Sequence, residues 1–362
     1  MNTMLMRPVM IMAGGTGGHV YPALAVADEL RQRGIPVVWM GTHKGIESRL
    51  VPEAGIEIEW MGMSGLRGKN ILTLVAAPLK ILMACAQALK ILLKRKPAVV
   101  LGMGGFVSAP GGVMAWCLRL PLIIHEQNAV PGMSNRILAR LASNVLQAFP
   151  DSFTQPASHV GNPVRRSIVA LASPEQRIRQ RQGAFRILVF GGSLGAARLN
   201  ECVPLACEKV AQHRALEVIH QTGPGNFEQT QVNYSGLKLK AEVIEYIDNM
   251  AQMYAWADLV ICRAGAMTIA ELAVAGVASI LVPYPHAVDD HQTFNARYLS
   301  DQGAAILISQ NKLDVDSLVE TLQPIDRERA LQMANKARQL GIPEATRLVT
   351  DACVIAGAYD AD

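Results

Sequence analysis

From residue 9 to residue 149 the chain alternates short apolar runs with helix-length segments. The runs cover residues 9–12, 37–40, 56–60, 98–101, 122–124 and 145–149. That alternation predicts a parallel sheet built from βαβ units. Pro150-Asp151-Ser152 and residues 155–164, with Gly161-Asn162-Pro163, break the rhythm and place a hinge near Pro163. A second cycle then opens with a run at 185–190 and continues with runs at 216–220, 243–246, 259–262, 279–282 and 304–308. The tail, about 326–358, is helical by pattern and broken at Gly341-Ile342-Pro343.

Each cycle begins in the same way. The run Val9-Met10-Ile11-Met12 feeds Ala13-Gly14-Gly15-Thr16-Gly17-Gly18-His19, and residues 185–190 feed Gly191-Gly192-Ser193-Leu194-Gly195-Ala196. The two double-glycine turns lie 177 residues apart, close to half the chain, which points to two similar α/β halves. A glycine turn followed by a helix start offers free amides and a positive dipole end, an anion cradle with His19 at its lip. A dinucleotide site fails on spacing: counting G-x-G-x-x-G from Gly15 reaches Val20 at the third glycine. The next strand ends in Gly41-Thr42-His43-Lys44, without the acid that would hold a ribose 2′-hydroxyl.

Length and composition fit two globular domains, with 362 residues, 50% hydrophobic and 18% charged. The six cysteines form no C-x-x-C pair, and the N-terminus has neither a cationic region nor a long apolar run, so the expectation is a cytoplasmic protein. Net charge is +4, but residues 60–125 contain no acid and carry +8, leaving −4 for the rest. Inside that window, residues 71–93 are apolar around the whole helix except at Pro78, Lys80 and Lys90. They include Leu79 and Leu82, and a basic cluster of Lys90, Lys94, Arg95 and Lys96 follows. A lysine near the middle argues against a transmembrane span. A core helix is one reading, and a helix lying on an anionic membrane surface is the other. Nucleic acid is disfavoured because the bases accompany aliphatic rather than stacking aromatic residues.

Further chemistry sits at strand ends. Gly104 and Gly105 lie in the loop 102–110 after one strand. His125-Glu126-Gln127-Asn128 ends another, where four polar side chains need partners or ligands. In the second half, Arg263-Ala264-Gly265-Ala266 leads into a helix whose first amides, near Ala266 to Thr268, suit a diphosphate. Glu271, one turn in, is either a ribose acceptor or an ordinary dipole partner. Asp289, Asp290 and His291 point in different directions on a helix start and are read as capping residues, as is the Asp314-Val315-Asp316 string. No metal site is expected.

Six motifs in order resemble the MurG family, the family 28 glycosyltransferases of peptidoglycan synthesis. They are Gly14 to His19, His125 to Asn128, Gly161-Asn162-Pro163-Val164-Arg165, Gly191 to Ala196, Arg263 to Ala266, and Asp290-His291-Gln292-Thr293-Phe294-Asn295-Ala296. The resemblance spans the whole chain. It implies an α/β GT-B fold, two Rossmann-like domains with parallel sheets facing across a cleft. Residues 1–163 would form an acceptor- and membrane-binding domain and 164–343 a UDP-sugar-binding domain, with a C-terminal helix of about 344–362 packed back on the first. It implies inverting transfer of N-acetylglucosamine from UDP-N-acetylglucosamine to the 4-hydroxyl of undecaprenyl-diphosphate-linked N-acetylmuramyl pentapeptide, without a cofactor, at the cytoplasmic face of the bacterial membrane. Other cell-wall synthesis proteins are conceivable partners. By resemblance, the nucleotide sugar contacts Thr16, Gly17, Gly18, Asn128, Arg165, Ser193, Ile247, Ala266, Met267, Thr268, Ile269, Ala270, Glu271 and Gln292. Arg165 and Ile247 rest on the resemblance alone. His19 is the candidate base, with Glu126 as its rival. Phe106 stands where some relatives carry tyrosine, so that position has no hydroxyl role. A UDP-sugar epimerase on the same fold and a non-catalytic nucleotide-responsive scaffold are the competing readings.

Overall fold

The strand that opens the chain is apolar at every position because both of its faces are covered. In the computed structural model, which describes residues 6–62, 77–192 and 195–358, β1 (Val9–Met12) is fully buried. Successive side chains of a strand point to opposite faces. Val9 and Ile11 accordingly pack with Val20, Ala23 and Val26 of helix α1 (Gly17–Gln32). Met10 and Met12 pack on the other face with Ala84, Ala88, Ile91, Leu92 and Ala115. Those residues come from α3 (Ala77–Arg95) and α4 (Ser108–Cys117), while α2 (Glu47–Glu53) follows the second strand.

The chain divides into two units, Met1–Val164 with Pro343–Asp362, and Arg165–Ile342. The first holds a parallel seven-stranded sheet of β1, β2 (Val37–Thr42), β3 (Glu57–Met61), β4 (Val99–Gly102), β5 (Leu122–Glu126), β6 (Asn144–Gln147) and β7 (Ser158–His159). Its order is β3-β2-β1-β4-β5-β6-β7. Helix α5 (Met133–Leu138) lies between β5 and β6.

The second unit repeats the plan. Its six parallel strands are β8 (Phe185–Phe190), β9 (Leu216–Gln221), β10 (Lys240–Ile244), β11 (Leu259–Cys262), β12 (Ala278–Leu281) and β13 (Ala305–Leu307), in the order β10-β9-β8-β11-β12-β13. Its helices are α6 (Arg166–Val169), α7 (Pro174–Ile178), α8 (Ala197–Ala211), α9 (Phe227–Tyr234), α10 (Met250–Trp256), α11 (Ala266–Ala275), α12 (His291–Ser300), α13 (Val315–Leu322) and α14 (Arg327–Leu340). In both units the glycine turn leaves the first strand, where the strand order reverses and ligands of doubly wound sheets bind.

The last helix, α15 (Ala345–Ala356), belongs to the first unit: Val349, Cys353 and Val354 join the α1 side of its core, and Asp351 meets Arg33 at 2.6 Å. Among the described residues, no helix is long and apolar enough to cross a membrane.

Three elements differ from the sequence expectation. β5 continues through His125 and Glu126, both buried, so these residues lie in the strand rather than beyond it. The stretch read only as a break contains β7, a two-residue strand paired with β6. β10 begins at Lys240 and not at 243, because an edge strand half open to solvent alternates its burial and lacks a continuous apolar run.

Candidate functional site

The glycine turn of the first unit is held from beneath by a residue the sequence reading passed over. Glu47, at the start of α2, is completely buried, and its carboxylate accepts hydrogen bonds from Gly15 N (2.9 Å), Thr42 N (3.1 Å) and Thr42 Oγ1 (2.7 Å). A Cβ on Gly14 would meet Glu47 Oε1 at 2.6 Å, so glycine at this position lets the turn close onto the acid. An acid is indeed missing from the end of β2. It returns five residues later, and it holds backbone. Above it, Thr16 caps α1 with extended backbone and no side-chain cap bond. The first turn of the helix carries no acid, so the positive end of its dipole, at Gly17 and Gly18, is not neutralised by the helix itself.

His19 stands in the first turn of α1, half-buried. Its Nδ1 lies 2.8 Å from Gln127 Oε1. Gln127 is fully buried, and its amide nitrogen contacts His125 Nδ1 at 3.0 Å and the His125 carbonyl at 3.1 Å. His125 Nε2 in turn reaches the Gly161 carbonyl at 2.9 Å. Burial drives the His125 imidazole down to about 4, although the Gly161 bond and Glu126 act in the opposite direction. The loop with Gly104 and Gly105 folds over the turn so closely that side chains at either position would collide with His19 or with the Gly14 carbonyl. Ser108 ties this loop down through Met12 O (3.1 Å) and Gly104 O (2.8 Å).

Glu126, the rival candidate, is engaged on both of its carboxylate oxygens. Its carboxylate is 1% exposed and accepts from Asn128 N (2.9 Å), Asn128 Nδ2 (3.2 Å), Gly132 N (3.1 Å) and Asn135 Nδ2 (2.9 Å). Four donors occupy its acceptor positions, which makes it the brace of the 126–135 loop and fixes Asn128.

In the second unit, Arg165 Nη2 pairs with Glu271 Oε1 at 2.9 Å, and Tyr254 donates its hydroxyl to Glu271 Oε2 at 3.1 Å. Burial raises the Glu271 carboxyl, with Arg165 pulling against it. Glu271 sits in α11, whose cap is Gly265 and whose first turn, with Met267 and Thr268, contains no acid. Ile269 and Ala270 continue that helix, with Ile269 buried. Gln292 accepts from Tyr284 N at 3.0 Å, and Ile247 is 9% exposed in the loop after β10. Ser193 lies outside the described residues. Asp314 caps its helix as expected, accepting from Ser317 N at 2.8 Å. Asp290 occupies a cap position without a capping bond and accepts from Thr293 Oγ1 instead.

On α3 the apolar expectation needs sides. Ala84, Ala88, Ile91 and Leu92 are buried, while Leu79, Ile81, Leu82, Met83 and Leu93 are exposed beside Lys80 and Lys90. The basic cluster also needs correction. Lys94 pairs with Glu59 at 2.8 Å, and Arg95 pairs with both Glu59 and Glu57, so two of its four charges are already answered by β3. Residues 63–76, including Arg67 and Lys69, lie outside the described residues.

Comparison with known proteins agrees with this two-unit layout. The glycosyltransferase family 28 N-terminal domain matches residues 9–147, and the family 28 C-terminal domain matches residues 186–349. Two curated relatives are named UDP-N-acetylglucosamine--N-acetylmuramyl-(pentapeptide) pyrophosphoryl-undecaprenol N-acetylglucosamine transferase. The one from Nitrosococcus oceani is 50% identical over 96% of this chain and 98% of its own. That from Nitrosospira multiformis is 49% identical over the same shares. The crystal structure of Acinetobacter baumannii MurG covers 96% of this chain and 99% of its own at 41% identity, with a TM-score of 0.86. The UDP-GlcNAc 2-epimerase from Neisseria meningitidis, at 13% identity and TM-score 0.67, shares the fold alone. Both units are α/β with parallel sheets, the GT-B fold, and with both domain models matched in order the chain belongs to glycosyltransferase family 28.

Proposed function

We propose that the protein transfers N-acetylglucosamine from UDP-N-acetylglucosamine to the 4-hydroxyl of undecaprenyl-diphosphate-linked N-acetylmuramyl pentapeptide, with inversion at the sugar carbon. The observation that carries this reading is the shared name of relatives 48–50% identical over at least 96% of the chain. The site residues are chemically consistent with it. Acceptor oxygen attacks the anomeric carbon while its proton passes to His19, and the bond to the diphosphate breaks with its electron pair leaving on UDP. Unit 2 supplies Arg165, Glu271, Ile247, Gln292, Ser193 and the 266–270 helix start toward the nucleotide. The unneutralised dipole end of α11 stabilises the departing diphosphate electrostatically. Unit 1 supplies His19, Thr16, Gly17, Gly18 and Asn128, with the Gly104-Gly105 loop toward the acceptor.

Peripheral attachment at the cytoplasmic face of the membrane completes the proposal. It is supported by the exposed Leu79, Leu82 and neighbouring apolar residues beside Lys80 and Lys90 on α3. Incubation with UDP-N-acetylglucosamine and the lipid-linked muramyl acceptor tests the whole. Stoichiometric UDP and disaccharide-lipid are the expected products, whereas UDP release without acceptor, or epimerised UDP-sugar, would overturn it.

A further inference from the structure

Two carbonyl groups fix the direction of every hydrogen bond behind His19. Carbonyl oxygens only accept, so the Gly161 carbonyl at 2.9 Å requires that His125 carry its proton on Nε2. The His125 ring is buried and neutral, leaving its Nδ1 as an acceptor. The Gln127 atom that faces this Nδ1 also faces the His125 carbonyl at 3.1 Å, and two acceptors identify it as the NH₂ end of the amide. The other end, Oε1, therefore accepts from His19 Nδ1 at 2.8 Å. The amide orientation follows from this network and does not depend on telling nitrogen from oxygen directly.

We propose that Gln127, oriented by His125 and the Gly161 carbonyl, is the positioning residue that holds His19 in its Nδ1–H tautomer and leaves Nε2 as the proton acceptor. Among the described residues Nε2 has no partner. The inference rests on the transferase reading for its catalytic meaning, though the tautomer stands apart from it. The support is an amide rather than a carboxylate, so it orients the ring without offering counter-charge to the imidazolium that forms. The titratable groups nearest this chain of bonds are His125 itself, Glu126 on the same strand and Glu47 under Gly15. Both acids are occupied by backbone and amide donors.

The test begins with the unmodified protein. Long-range ¹H–¹⁵N correlation of histidine-labelled chain, with His19 assigned by its loss in His19→Asn, is expected to show a proton on Nδ1 and a bare Nε2. An Nε2–H tautomer overturns the proposal. Gln127→Leu should lower kcat about 10²-fold while KM for UDP-N-acetylglucosamine stays within about twofold, and kcat near the wild-type value overturns it. Gln127→Glu restores an acceptor and adds charge, so the acid limb of the kcat/KM profile should move about one unit toward higher pH, and an unmoved limb counts against the assignment. An inactive wild-type chain would sink the transferase reading alone, and the spectrum would still decide the tautomer.

Discussion

Gly104 and His19 are fitted to one another: a Cβ at position 104 would lie 2.6 Å from His19 Nδ1. The backbone there also has φ of 97°, a region costly for any residue with a side chain. The loop after β4 thus serves as a wall for the imidazole.

Gly104→Ala should push the ring off Gln127 without touching the nucleotide-binding residues assigned to the second unit. Displacing a reacting group by about 1 Å costs about 10² in rate. Steady-state kinetics should show kcat falling by about that factor, with KM for UDP-N-acetylglucosamine little changed. Activity within twofold of wild type would mean that the position of His19 is unimportant.

Glu47 carries a prediction about stability. Its removal in Glu47→Ala leaves Thr42 N and Thr42 Oγ1 without an acceptor in a buried site, and takes the partner from Gly15 N at the exposed turn. Unsatisfied buried donors cost about 1–3 kcal/mol each, partly relieved by relaxation, so the first unit should lose about 3 kcal/mol. Urea denaturation measures it, and an unchanged midpoint would show that the turn stands without its acid.

How much of this was legible from sequence depended on how local the cause was. β1 and β11 were visible because both faces are buried and the apolar run is continuous, and β8 because Arg186 alone interrupts it. β10 was shifted because an edge strand has no such run. The 125–128 motif stood out as polar residues at a strand end, but their roles did not. A strand's period of two sends His125 and Glu126 to opposite faces, and Gln127, just past the strand end, contacts His125 at 3.0 Å, so His125 and Gln127 reach Gly161 and His19 while Glu126 braces a loop. Glu47 escaped notice because its partner Gly15 is 32 residues away.

The basic cluster taught the same lesson. Glu57 and Glu59 lie just before the acid-free window, yet α3 ends beside the start of β3 and sets Lys94 and Arg95 against them. Burial would raise the Glu59 carboxyl, but hydrogen bonds from Lys94 and Arg95 outweigh it and hold it below the usual value. Of the lysines on α3 itself, Lys80 and Lys90 are thus left to supply the membrane attraction, with the exposed Lys96 just beyond the helix. Lys80→Gln with Lys90→Gln should weaken binding to anionic vesicles by about 2 kcal/mol at low salt, about one for each charge. The charge-balanced quadruple Glu57→Gln, Glu59→Gln, Lys94→Gln, Arg95→Gln should change it less than about twofold. Equal losses in vesicle sedimentation would show that the ion pairs, too, face the lipid.

The last prediction follows from His125. Its imidazole is held near 4 in the folded protein, through burial, against an ordinary value of 6.5. Between those two values the unfolded chain binds a proton that the folded chain refuses, so stability rises with pH across the window and its loss begins as pH falls through 6.5. One unit corresponds to about 1.4 kcal/mol, so at pH 5.5 the first unit should be less stable by about that amount than at pH 7.5. His220, buried in the second unit and lowered to about 3, carries the same sign there. Most exposed carboxylates titrate below this range and leave the interval from 7.5 to 5.5 to histidine. Unfolding free energies measured across that interval should fall toward acid, and His125→Gln should flatten the slope of the transition that reports the first unit. A transition independent of pH would mean that His125 takes up its proton as readily in the folded chain as in the unfolded one, so that burial does not hold the ring neutral.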